Sequence, residues 1–443
     1  MTRPLAFRPR FGLDWCLLFD GGERAGGVSQ DTAIVRLLRR FFIPTSAPIV
    51  ALTLALAASP AAATPYGTFF GQRVDIGIYQ NYLENLLYTH LGHNRGFGAH
   101  HDLARANIVA TLQSFGLPVV LEPFVYNTVT YYNVVATQAG TDVPGQVYVV
   151  GAHFDTVNNP GADDNGTGTA LVMEIARVLS QHRSPRTIRY VLFDREEQGR
   201  RGSIAYVGAH SGETTVMAVT ADMVGHDSGA FGMDIYGRTT SSSVVNGVAS
   251  AMGTYGGGLN AFVNLGNYSF SDHWSFESAG IPACVIIERC YTCNTYYHTA
   301  NDAVDVYPGY ISYALLAPLL RSVTGYLVDQ IGVSLWGDSD LDADVDGVDF
   351  TAFRGCYGGP VTPACRTFDR DSDGDIDCAD WVAFRAAHLA SSGSLPLLSP
   401  SEFAAALLAA DPGAANRCVA DMNGDGRLDG GDIGPYVAAE SGL

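Results

Sequence analysis

A chain of 443 residues, 47% of them hydrophobic, is long enough for two or three domains with a sizeable core, and its composition is that of a globular protein rather than a disordered or multi-spanning one. The formal charge of −19 gathers in an Asp-rich stretch between residues 338 and 432, and no arginine cluster lies beyond Arg36, Arg39 and Arg40, which argues against a nucleic-acid partner. All 26 basic residues are arginine, so Schiff-base and pyridoxal chemistry and the lysine of a phosphate-binding loop are excluded.

Residues 1–63 read as an N-terminal extension and export signal. Arg36-Leu-Leu-Arg39-Arg40 precedes an apolar stretch from Ile49 to Ala58, and Ser59-Pro60-Ala61-Ala62-Ala63 offers a small-residue cleavage site. The stretch is shorter than the about 20 residues that span a bilayer. Cleavage near Ala63 is therefore expected, with a secreted, extracellular or periplasmic location and no stable membrane anchor afterwards. The signal starts far into the chain, which suggests translation from near Val35. Cys356 and Cys365 flank a Gly-Gly-Pro turn and are expected to pair; Cys290-x-x-Cys293 points to a local disulfide among two of Cys284, Cys290 and Cys293.

From 66 to 333 apolar strand-like runs alternate with helical stretches. Helical periodicity covers 76–91 and 103–115, the second stopped by Gly116 and Pro118. Strand-like runs fall at 134–137, 147–152, 188–194, 216–222, 233–236 and 283–288. Residues 168–181 read as a helix with Leu171, Ile175, Val178 and Leu179 on one face. The pattern predicts an α/β domain, a mixed and mostly parallel sheet flanked by helices, with its site at the strand ends.

Five side chains of types that zinc accepts stand at those ends: His153, Asp164, Glu197, Asp222 and His298. A carboxylate in such a set can bridge two ions about 3.5–4 Å apart, a geometry that activates water. In Gly151-Ala-His153-Phe-Asp155 the strand alternation puts His153 and Asp155 on one face, so Asp155 can hold the far nitrogen of the imidazole. Gly161-Ala-Asp163-Asp164-Asn165-Gly166-Thr-Gly168 opens the next helix; taken alone it is an ordinary helix cap. Glu196 and Glu197 set two carboxylates side by side after a strand, a cost that a cation relieves, so that one can ligate while the other handles a proton.

In this order, and with Ser271-Asp272-His273, the motifs resemble the zinc aminopeptidases of peptidase family M28 over about residues 76–328. The resemblance implies a zinc exopeptidase fold and two zinc ions. His153 and Asp222 would hold one, Glu197 and His298 the other, and Asp164 would bridge. It further implies Glu196 as general base, a cis peptide between Asp164 and Asn165, and Tyr297 as an aid to the oxyanion. The implied activity is removal of N-terminal residues from peptide or protein substrates. The M20 peptidases share the ligand types, but their inserted lid domain needs more chain than separates Asp222 from His298. A carboxypeptidase or glutaminyl cyclase-like member of the same fold is an alternative, and so is an inactive binding protein, which a lost ligand or base would have signalled.

Beyond Val333 the texture changes to three superimposable Asp-rich loops that begin at Asp338, Asp369 and Asp421. Oxygen ligands recur at loop positions 1, 3, 5 and 12: Asp338, Asp340, Asp342 and Asp349; Asp369, Asp371, Asp373 and Asp380; Asp421, Asn423, Asp425 and Asp432. Gly374 and Gly426 occupy position 6, where the turn is sharp, and Ala343 stands there in the first loop. Asp in place of Glu at position 12 resembles dockerin-type EF-hand repeats, which implies Ca²⁺ and docking on a cohesin-like receptor or on the catalytic domain itself. A small α-helical calcium-loop pair is expected over 338–390, and a linker with a separate third loop over 391–443.

Overall fold

The computed structural model describes residues 62–359, 361–409, 414–423 and 427–441. The export segment, Asp425 and Gly426 lie outside the described residues.

The sheet has eight strands: β1 Val119–Tyr126, β2 Val129–Gln138, β3 Val143–His153, β4 Arg186–Phe193, β5 Thr214–Ala221, β6 Gly232–Gly237, β7 Asn260–Leu265 and β8 Ala283–Glu288. They are ordered β1-β2-β4-β3-β5-β8-β6-β7. Pairs β3/β4, β3/β5, β5/β8 and β6/β7 are parallel, and β1/β2, β2/β4 and β6/β8 antiparallel. Strand β3 is central because its two faces are both apolar. Tyr148, Val150 and Ala152 enter the larger core with helices Gly168–Leu179 and Tyr313–Ile331, while Val147 and Val149 enter a smaller one with Tyr206 and Phe276.

The strand runs read from the sequence correspond to β2, β3, β4, β5, β6 and β8. The two edges, β1 and β7, carried no readable run: their residues are mostly half-exposed or exposed, and β1 contains Glu122 and Pro123. The helix expected over 76–91 stops sooner. It runs as Ile76–Asn81, continues as one π turn Tyr82–Leu86, and then leaves the axis at Tyr88, whose φ is +56°. Thr89 Oγ1 caps the Leu83 carbonyl at 2.6 Å, and the Thr89 carbonyl accepts the Val304 amide at 3.0 Å, so bonds to a distant loop replace the last helical turn.

The tail builds its own core from Val345, Phe350, Phe353, Phe368, Ile376, Trp381 and Phe384. The segment expected to stand apart as a third unit joins that same core through Leu398, Phe403, Met422 and Tyr436, with the Tyr436 ring stacked 3.8 Å from Phe403. Each loop ends in the same reciprocal cap, Asp346 with Asp349, Asp377 with Asp380, and Asp429 with Asp432. The tail rests on the sheet domain: Tyr66 donates its hydroxyl to Asp338, and a cavity of about 560 Å³ opens between Phe69, Arg73 and His182 on one side and Trp336, Phe368 and Phe384 on the other.

Disulfides join Cys290 to Cys293, Cys356 to Cys365 and Cys378 to Cys418, and Cys284 is a buried free thiol. The third bridge, which the sequence reading did not anticipate, ties the second loop's helix to the third segment. Among the described residues no helix is long and apolar enough to cross a membrane.

Candidate metal centre

The five zinc-type side chains meet at the C-terminal ends of adjacent strands. His153 ends β3, Glu197 follows β4, Asp222 follows β5, His298 lies on the loop after β8, and Asp164 comes from the loop before helix Gly168–Leu179. His153 Nε2 is 3.3 Å from Asp222 Oδ1 and 3.4 Å from Asp164 Oδ1. His298 Nε2 is 3.1 Å from Asp164 Oδ2 and 3.1 Å from Glu197 Oε2. Donors on a tetrahedral ion with bonds of about 2.0–2.1 Å stand about 3.3 Å apart. Two triads of potential ligands thus form, and Asp164 supplies one oxygen to each.

The donor set fits a cationic occupant. Three carboxylates converge here, and Glu197 Oε1 is buried without a hydrogen-bond partner. Burial, and then the charge of Glu197, push the Asp164 carboxyl well above the usual carboxylate range. Hydrogen bonds to Asp164 and Glu197 raise His298 to about 10. Both shifts express a site short of positive charge.

The surrounding shell is built from the main chain. His153 Nδ1 is 3.1 Å from the Asp155 carbonyl oxygen and 3.6 Å from its carboxylate, so the carbonyl is the nearer partner for a ring N–H. The Asp155 carboxylate also accepts the amides of Glu196 (3.0 Å) and Glu197 (3.3 Å), fixing where those side chains start. Asp302 accepts the amides of Asp163 (2.8 Å) and Asp164 (3.0 Å). Asn165 donates to the Ala221 carbonyl and accepts from Gly168 and Met223, clamping the loop to β5. Arg95, fully buried, donates to the carbonyls of Phe154, Pro160 and Gly161. The Asp164–Asn165 peptide is cis. Gly161, at φ +62°, has no room for a side chain: a Cβ there would come within 2.4 Å of the Asp164 carbonyl. Arg95, Asn165 and Asp302 went unassigned in the sequence reading, because a lone polar residue on a loop declares nothing until the fold shows what it holds.

Glu196 sits beside the triads, and its carboxylate makes no hydrogen bond among the described residues. Burial raises its pKa well above normal, Asp272, Asp222 and Glu197 add to the rise, and His153 opposes it. Asp272, of the Ser-Asp-His motif, is likewise pushed up to about 7, chiefly by burial. Tyr297 packs its ring 3.9 Å from that of His298, and burial together with Asp164 and Asp222 keeps its hydroxyl protonated. Tyr236, Phe270 and Tyr291 continue from Tyr297 as a chain of ring contacts.

In the tail, Asp369, Asp371 and Asp380 draw together in the second loop, and Asp369 Oδ1 is buried without a partner. Asp373 accepts the Asp375 amide at 3.1 Å. In the first loop Asp338, Asp340 and Asp342 form one group, and Asp344, Asp346 and Asp349 another. Ala343 takes φ +78° where Gly374 takes +96°, a conformation that costs a non-glycine residue about 1–2 kcal/mol. In the third loop Asp432 accepts the amides of Met422 and Asn423.

Residues 133–313 match the model of peptidase family M28. Leucine aminopeptidase 1 of Ajellomyces capsulatus is 29% identical over 200 residues, 39% of this chain and 50% of that protein. A probable zinc metalloprotease of Leptosphaeria maculans is 35% identical over 130 residues, 27% of this chain and 30% of that protein. The chain spans about half the length of the leucine aminopeptidase it matches. Among solved structures, the LapA aminopeptidase of Legionella pneumophila aligns with a TM-score of 0.52 at 21% identity, covering 60% of this chain and 74% of that one. The sheet domain is thus related to M28 peptidases in sequence and shares an aminopeptidase fold.

Proposed function

We propose that the chain is a dizinc exopeptidase of the M28 type that removes N-terminal residues from peptides. The observation that carries this reading is Asp164, whose two oxygens face two separate triads. His153 and Asp222 would hold one ion, Glu197 and His298 the other, with Asp164 between them. Zinc bound there would polarise the scissile carbonyl and bring the pKa of water to about 7.

Glu196 takes the proton of the attacking water and passes it to the leaving amine. A carboxylate beside the triads that is held by no hydrogen bond among the described residues suits a group that must both accept and return a proton. Tyr297, held protonated, donates a hydrogen bond to the developing oxyanion. Asp155 acts through the chain, holding the Glu196 and Glu197 amides. The carboxylates of the cluster suit a substrate's free α-amine, and the rings of Tyr236, Phe270 and Tyr291 suit an apolar side chain beside it.

The same reading extends to location and tail. Three disulfides accord with an exported protein. The Asp loops would bind Ca²⁺ as dockerin-like repeats, and the Tyr66–Asp338 contact favours docking on the chain's own sheet domain over a cohesin-like receptor.

Hydrolysis of leucine p-nitroanilide before and after treatment with a zinc chelator tests the proposal. Activity should vanish on chelation and return when zinc is restored. Turnover that survives complete zinc removal, or a zinc-loaded chain inert toward all aminoacyl anilides, would refute it.

A further inference from the structure

A second group of imidazoles lies apart from the catalytic cluster, on the loop that leaves the first helices. His90 Nδ1 is 3.5 Å from Asp305 Oδ2, and the other Asp305 oxygen is engaged by the Leu91 amide at 2.7 Å. The His93 amide donates to the His90 carbonyl at 3.1 Å, a turn that brings the two imidazoles to the same side, with ring centroids 6.2 Å apart. His93 Nδ1 is buried and has no hydrogen-bond partner. His100 packs against His93 at 4.4 Å, and Tyr88 stacks on His100 at 5.2 Å, so the histidines have a wall behind them.

We infer that His90, His93 and Asp305 form a further metal site, one that takes a divalent ion with a preference for imidazole, of which Zn²⁺ is the type. The 3.5 Å separation of His90 and Asp305 is close to the about 3.3 Å between donors on one tetrahedral zinc. Two imidazoles on such an ion have centroids about 5 Å apart, so the 6.2 Å between the His90 and His93 rings must close by about 1 Å as the ion binds. Two nitrogens and a single carboxylate do not suit Ca²⁺ or Mg²⁺, which want mainly oxygen. The Leu91 amide already holds one oxygen of Asp305, which sets the orientation of the carboxylate.

The ion would pin two loops that touch the catalytic centre. Asp305 lies on the segment that carries His298 and Asp302, and Asp302 holds the amides of Asp163 and Asp164. The loop of His90 and His93 leads into Arg95, which grips the carbonyls of Phe154, Pro160 and Gly161. The role is therefore structural, a fastening at the rim of the catalytic site, and it does not depend on what the catalytic residues bind.

Zinc content after metal stripping and re-equilibration with Zn²⁺ alone tests the site on the full chain. His93→Gln and Asp305→Asn should each bind one zinc fewer than wild type and lose part of the zinc-dependent rise in Tm. Asp305→Asn keeps an oxygen for the Leu91 amide, so it decides the matter if His93→Gln fails to fold. The difference of one ion holds whether or not the catalytic cluster is filled, and His153→Ala as background should leave it intact. Equal zinc content in wild type and Asp305→Asn would overturn the site.

Discussion

Glu196→Gln separates proton transfer from metal binding. The change keeps the side chain's size and removes its charge. In the folded protein the Glu196 carboxylate holds no hydrogen bond among the described residues, whereas the Glu196 amide, which donates to Asp155 at 3.0 Å, belongs to the backbone and stays. No ligand pair of the two triads passes through Glu196. Stability should therefore not fall, because removing one carboxylate from beside Asp272, Asp222 and Glu197 relieves repulsion. Loss of a positioned general base costs a factor of about 10²–10⁴, or about 2.7–5.5 kcal/mol of barrier. The assay is kcat and KM on leucine p-nitroanilide, with zinc content and Tm measured on the same preparation. A kcat within tenfold of wild type refutes Glu196 as the base; zinc loss on Glu196→Gln refutes the division of labour between Glu196 and Glu197.

Two further outcomes concern the tail and its junction. Adding Ca²⁺ to the chelator-treated full chain should raise the Tm, by an amount equivalent to about 2.7 kcal/mol at a hundredfold excess over Kd, and Asp369→Asn should remove part of the rise because Asp369 Oδ1 is buried and unpartnered in the second loop; an unchanged Tm on Ca²⁺ addition sinks the calcium reading. His182, packed against Phe70, has its pKa lowered from 6.5 to about 4, first by burial and then by Arg73 and Arg370. The unfolded chain thus binds more protons between those values, and stability present above pH 6.5 is lost as the pH falls toward 4, by up to about 3 kcal/mol. Denaturant unfolding of wild type and His182→Gln across that range should show the wild type falling more steeply, and parallel curves would contradict the assignment.

Much of the centre was legible because its chemistry is local. His153, Glu197 and Asp222 each follow an apolar run long enough to read as a strand, and a parallel sheet delivers its strand ends to one edge. The gathering of Asp369, Asp371 and Asp380 was legible for a similar reason, since the spacing within one short loop sets it. The early end of the first helix was not legible, because Thr89 and Leu91 are drawn away by Val304 and Asp305, more than two hundred residues on. The Cys378–Cys418 bridge and the shared core of all three tail segments were hidden in the same way, the partners being far apart in the chain.

The sequence by itself determined the types of the converging side chains, their order and the strands that present them, because side-chain period and donor chemistry are properties of neighbouring residues. Only the tertiary structure decided which oxygens of Asp164 face which histidine, that the Asp155 carboxylate holds two amides, and that His90 meets Asp305. Those are distances of 3–4 Å between residues remote in the chain, and only packing can set them.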